Sequence, residues 1–92
     1  MLTTVALTGS DQAVGGAGSV YRGFSVRETG GVAAATMKIY NGASATGTLL
    51  DTVSLNPGES RAEYYPEGIS AQKGIYVDVG GTGTIEGSVR VI

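Results

Sequence analysis

Toward the C-terminus, apolar and polar side chains alternate one for one. In residues 74–79, Ile75, Val77 and Val79 share one face while Tyr76 and Asp78 share the other. In residues 84–91, Ile85, Val89 and Val91 alternate against Glu86, Ser88 and Arg90. A period of two is the inside/outside pattern of an antiparallel sheet with one wet face. Only Gly80-Gly81-Thr82-Gly83 separates the two runs, which predicts a hairpin. The middle of the chain carries the same pattern. Ala33, Ala35, Met37 and Ile39 face one way, with Ala34, Thr36 and Lys38 opposite. Leu49, Val53 and Leu55 share a face that Asp51 interrupts, and Val20, Phe24 and Val26 alternate with Tyr21, Gly23 and Ser25, leaving Arg22 on the apolar side. Together these patterns predict strands at about 2–8, 19–28, 32–40, 48–55, 60–65, 74–79 and 84–92.

Glycine marks the ends of these runs. The densest groups, Gly15-Gly16-Ala17-Gly18, Gly30-Gly31 and Gly80-Gly81-Thr82-Gly83, read as turns or loops. Two segments have helical features. Residues 32–38 contain three alanines, but a glycine pair precedes them and Asn41-Gly42 follows, so a strand ending at a turn fits better. Residues 57–66 place Glu59 and Glu63 four apart, yet a proline stands at each end, which favours a turn and a short edge strand. The expected fold is all-β, an antiparallel β-sandwich or β-barrel of about 7–8 short strands. Residues 1–18 form an N-terminal arm or strand with a glycine-rich loop, and residues 19–92 form the sandwich or barrel domain.

Composition narrows the chemistry. Ninety-two residues make one domain with a thin core, which packing or subunit partners must support. The chain has no His, Cys or Trp. It therefore lacks the side chain that ordinarily titrates near neutrality, the readiest nucleophile, and the thiolate and imidazole metal ligands. Net charge is −2, and the six basic residues Arg22, Arg27, Lys38, Arg61, Lys73 and Arg90 are dispersed along the chain, which argues against nucleic acid. No apolar run is long enough to span a bilayer, and Met1-Leu2-Thr3-Thr4 lacks the positive start of an export signal.

The remaining motifs have ordinary explanations. Gly15-Gly16-Ala17-Gly18 and Gly81-Thr82-Gly83 resemble phosphate loops only superficially, because neither leads into a helix or a Lys-Ser/Thr pair. Glu59, Glu63, Glu67, Asp78 and Glu86 fit solvated outer-face charges better than a glycosidase pair or a calcium loop. No catalytic, cofactor-binding or metal-ligating residue is assigned. The aromatic cluster Tyr64-Tyr65-Pro66 has two readings: an interface, or one ring plugging the sandwich end and one on the surface. The N-terminal strand with Leu2, Val5 and Leu7 either pairs within its own domain or extends a partner's sheet. Candidate partner contacts are thus Leu2, Val5, Leu7, Tyr21, Tyr64 and Tyr65.

Three stretches, residues 20–29, residues 39–50 and residues 68–77, together resemble small head proteins of tailed bacteriophages, of the kind that decorate or cement a capsid. The resemblance covers most of the chain after residue 19. It implies a non-enzymatic virion structural protein, made in the host cytoplasm and placed on the capsid surface. It needs no cofactor and no membrane, and it binds the major capsid protein. A homo-oligomer, with a trimer favoured, would also support the thin core. The alternative is a β-sandwich recognition module, such as a carbohydrate-binding or tail-fibre tip domain, presenting Tyr21, Tyr64 or Tyr65 as a platform.

Overall fold

The two alternating C-terminal runs do form strands, but they do not form a hairpin. The computed structural model describes residues 1–92 and contains eight strands: β1 (Thr3–Ala6), β2 (Gln12–Gly15), β3 (Ser19–Glu28), β4 (Ala35–Asn41), β5 (Thr48–Leu55), β6 (Ser60–Ala71), β7 (Ile75–Gly81) and β8 (Ile85–Val91). Sheet I has the order β1-β8-β3-β6 and sheet II the order β2-β7-β4-β5, all pairs antiparallel. Neighbours β7 and β8 therefore lie in different sheets. A period of two is identical for a hairpin and for an arch that crosses between sheets, so the side-chain pattern does not separate them. The crossing is held by amides of the glycine connection: Gly83 donates to the Ala34 carbonyl at 2.9 Å, and Thr84 donates to the Glu28 carboxylate at 2.9 Å. Only β4 and β5 are joined as a hairpin; every other connection passes from one sheet to the other.

All-β architecture is thus realised as two distinct four-stranded sheets, compatible with a β-sandwich. Sheet I contributes Phe24, Val26, Ile85, Val89 and Val91 to the core, and sheet II contributes Met37, Ile39, Val53, Leu55, Ile75 and Val77. Only 19 of 92 residues are buried, in line with the thin core expected of so short a chain. The molecule is a slab, with extents of 37 × 26 × 17 Å.

Several sequence expectations need correction. The glycine-rich loop expected within residues 1–18 contains β2, which pairs with β7 at the edge of sheet II and buries Val14. Its strand is short and has one apolar anchor, so periodicity could not reveal it. Side chains hold it instead: the Gln12 amide donates to the Ala6 carbonyl at 3.1 Å and accepts from the Thr8 amide at 2.8 Å, while Asp11 accepts from the Val79 amide at 2.8 Å. The short edge strand at 60–65 runs on to Ala71, with residues 65–68 bulging out between the Tyr21–Ile69 and Gly23–Tyr64 pairs. Proline is tolerated in such a bulge because no ladder hydrogen bond is asked of Pro66.

Two further bulges invert the expected faces. In β3, Tyr21 pairs with Val91 and Gly23 with Arg90, so Arg22 is the extra residue and Tyr21 joins Phe24 on the inner side. In β5, Asp51 pairs with Ile39 and Leu49 with Tyr40, so Leu50 is the extra residue. Leu49, expected inside, is therefore turned out and 49% exposed, while Leu50 packs against the core. Inside β8, Gly87 has φ 135°, and a Cβ there would overlap the Ser25 carbonyl oxygen. Gly87→Ala is expected to destabilise the fold by roughly 2–4 kcal/mol, through positive-φ strain and displacement of β3. Urea denaturation of the two proteins checks this.

Candidate docking face on sheet I

The six residues named from sequence do not form one site. Val5 and Leu7 pack in part against the core beside β8, within the chain's own sheet, and Leu2 is 43% exposed beyond the end of β1. Tyr21 is wholly buried and is removed from any surface role. Its hydroxyl donates to Asp51 Oδ2 at 2.8 Å, and the Tyr65 hydroxyl donates to the same oxygen at 2.9 Å. The two rings meet tilted, with centroids 5.7 Å apart. Burial and the Asp51 hydrogen bond push the Tyr21 phenol far above the usual range, and the same causes push Tyr65 up to about 12. Asp51, the residue that interrupts an apolar stripe, is thus the acceptor that allows two tyrosines to enter the sandwich end.

Tyr64 points the other way. It is 51% exposed, and Arg22 fixes it: the guanidinium Nη2 donates to the Tyr64 hydroxyl at 2.7 Å, its carbon lies 5.3 Å from the ring centroid, and Nε donates to the Tyr65 carbonyl at 3.0 Å. The adjacent tyrosines therefore divide as one of the two sequence readings has it, one ring plugging the sandwich and one on the surface. Arg22 can reach Tyr64 because the β3 bulge makes it the unpaired residue.

A second buried polar group was missed in the sequence. Glu28 is 1% exposed at the end of β3. Its Oε1 accepts from the amides of Gly31 at 2.6 Å and Gly58 at 3.0 Å; its Oε2 accepts from Gly30 at 2.8 Å and Thr84 at 2.9 Å. The amides of Gly58 and Thr84, then Gly31, are the main causes that hold its carboxyl down at about 2. They come from the β3–β4, β5–β6 and β7–β8 connections, so one carboxylate ties three sheet-crossing arches at one end of the slab. The available signal was position: residues 24, 26 and 28 share the inner face, and two glycines follow Thr29.

The outer face of sheet I is built in register. One row runs Thr4, Arg90, Gly23, Tyr64; the next runs Ala6, Ser88, Ser25, Ala62; the third brings Glu86, Arg27 and Ser60 together. The middle row is entirely small. It forms the floor of a shallow trough with two parts: a depression of about 560 Å³ around Ser25, Arg27, Ser60 and Glu86, and one of about 360 Å³ around Tyr64 and Arg90. They join over Ala62, which lines both. Arginines dispersed in the sequence meet here: Arg22 and Arg90 stand at one end and Arg27 at the other. Arg27 Nε lies 3.2 Å from Glu86 Oε1, with both side chains about 60% exposed. Arg61 and Glu63 pair with Val26 and Phe24 and so point to the inner side of the edge strand β6. Inward charges of this kind discourage edge-to-edge pairing with another sheet.

The outer face of sheet II differs. Register places Ala13, Tyr76, Tyr40 and Leu49 in one row and Asp78, Lys38 and Thr52 in the next. Burial, and then the neighbouring Asp11 carboxylate, push the Asp78 carboxyl up. Compared with protein-family models, curated proteins and solved structures, the chain matches none.

Proposed function

We propose that this chain is a non-enzymatic virion structural protein that decorates and stabilises a phage capsid, binding the major capsid protein lattice as a homotrimer. The observation that carries the proposal is the division of polar groups in the fold. Every buried side-chain polar atom has an internal partner, and two carboxylates, the buried Glu28 and the half-buried Asp51, hold loops and tyrosines together. What is offered outward is a thin slab with broad faces and an arginine-and-tyrosine trough on sheet I. Standard interfaces need about 800 Å² per partner, which a broad face suits better than a cleft does. Tyrosine and arginine are the residue types enriched where interface energy concentrates. Repetition over a lattice then multiplies modest contacts through avidity. The rival recognition-module reading loses ground, because Tyr21 is buried and the Tyr65 hydroxyl is engaged by Asp51.

The test uses undecorated capsids of the phage that carries the gene. Co-sedimentation with saturable stoichiometry and a raised capsid melting temperature are expected, with a trimer by size-exclusion and light scattering. A monomer that leaves capsids unbound, or a clear glycan-array signal, would overturn the proposal.

A further inference from the structure

We infer that the sheet I trough receives an extended, acidic segment of the protein partner, lying along β3 with its carboxylates on Arg27 and Arg90. The inference rests on the decoration role and names the chemistry of its docking face. Charge complementarity supplies the occupant. The three rows of this face hold Arg27 and Arg90, with Arg22 beside Tyr64, against Glu86, while Arg61 and Glu63 of β6, which also line the trough, offset one another in charge. This concentration of positive charge stands on a chain whose net charge is −2. The opposite face carries Asp78, with Asp11 beside it, against Lys38.

Shape agrees with charge. Between the two arginine ends the floor is Ser25, Ala62 and Ser88, with no large side chain to block a backbone. Arg90 is level with Gly23, four residues from Arg27 along β3, a span of about 13 Å in extended chain. A partner with carboxylates four positions apart in extended conformation therefore matches the two ends. Glu86 does not close the site. Its pair with Arg27 is exposed, and such pairs add little stability, so Arg27 can exchange Glu86 for a partner carboxylate. At the far end, Arg22 holds Tyr64 rigid, which leaves a fixed aromatic edge for the segment to pack against.

The experiment is a ¹⁵N NMR titration at low salt, where exposed charge pairs are least screened. The probe is a short serine–threonine peptide with two glutamates four positions apart, compared with its glutamine counterpart. Amide shifts are expected at Ser25, Arg27, Ala62, Ser88 and Arg90 with the glutamate peptide alone. The Arg27→Gln/Arg90→Gln variant should bind about tenfold more weakly, whereas Lys38→Gln, which alters net charge by an exposed residue on the outer face of sheet II, should not. Both variants change exposed or half-exposed side chains, and their own spectra report folding.

Equal shifts with the glutamine peptide, shifts centred on Tyr40 and Tyr76, or tighter binding of a thymidine oligonucleotide would each overturn the inference. So would unchanged capsid binding by the double arginine variant, which would leave the decoration role standing. Failure of the wild-type protein to bind capsids overturns that role instead, while the peptide titration still decides the chemistry of the trough.

Discussion

Glu28→Gln is expected to lower the melting temperature by roughly 10–20 °C, the largest effect of any single conservative change in this chain. The carboxylate presents two oxygens to four amide donors, two on each. Glutamine replaces one oxygen with an NH₂ group, so in either orientation two backbone N–H groups lose their acceptor and meet another donor. Those groups belong to connections between the sheets, so the loss acts on two of the three arches at once, the β3–β4 arch in either orientation. The pH dependence has a definite sign. Folding lowers the Glu28 carboxyl from 4.5 to about 2, so the native state holds the ionised form more strongly than the unfolded chain does. The resulting stability is complete above about pH 4.5 and is lost as pH falls toward 2. Thermal melts of both proteins across that interval test this: the wild type should lose stability there, and the variant should show a flatter profile. Equal melting temperatures at pH 7 would refute the role assigned to Glu28.

Asp51→Ala is expected to destabilise the fold by about 3–4 kcal/mol, because it leaves the wholly buried Tyr21 hydroxyl without a partner and withdraws the acceptor from Tyr65. The variant Asp51→Ala/Tyr21→Phe should recover part of that loss, since removing both partners of a buried hydrogen bond costs less than removing one. Chemical denaturation of the two single variants and the double variant forms the cycle that measures it. Tyrosine ionisation supplies an independent check. The Tyr65 phenol, pushed up to about 12 from an ordinary 10, stays neutral longer in the folded chain. Its stabilisation is full below pH 10 and is lost as pH rises toward 12, so alkaline melts should fall across that window and the fall should shrink in Tyr65→Phe.

The class of fold was legible from alternation, because a half-buried strand writes its two faces into every second residue. Ala35, Met37 and Ile39, and Ile85, Val89 and Val91, lie inside as their spacing requires. Alternation fails where the backbone inserts a residue. Bulges at Arg22 and Leu50 turn Tyr21 in and Leu49 out, and nothing in a one-dimensional pattern marks the inserted position. The candidate docking face was less legible. Tyr64 was recognisable as an aromatic next to a turn, but Arg27 and Arg90 stand far apart in the chain and reach one face only because β8 pairs with β3.

Local side-chain chemistry was therefore enough to establish most of the strands, their inner faces away from the bulges, their glycine-rich ends and the lack of histidine and cysteine. Strand partnership was not local. Whether β7 and β8 form a hairpin or an arch depends on acceptors distant in sequence, the Ala34 carbonyl and the Glu28 carboxylate, which capture amides of the connection. The same holds for the trough, for the Asp51 tyrosine pair and for the three arches tied at Glu28. Each requires groups from separate strands to meet at hydrogen-bond or van der Waals range, and that distance exists only after the sheets have paired and stacked.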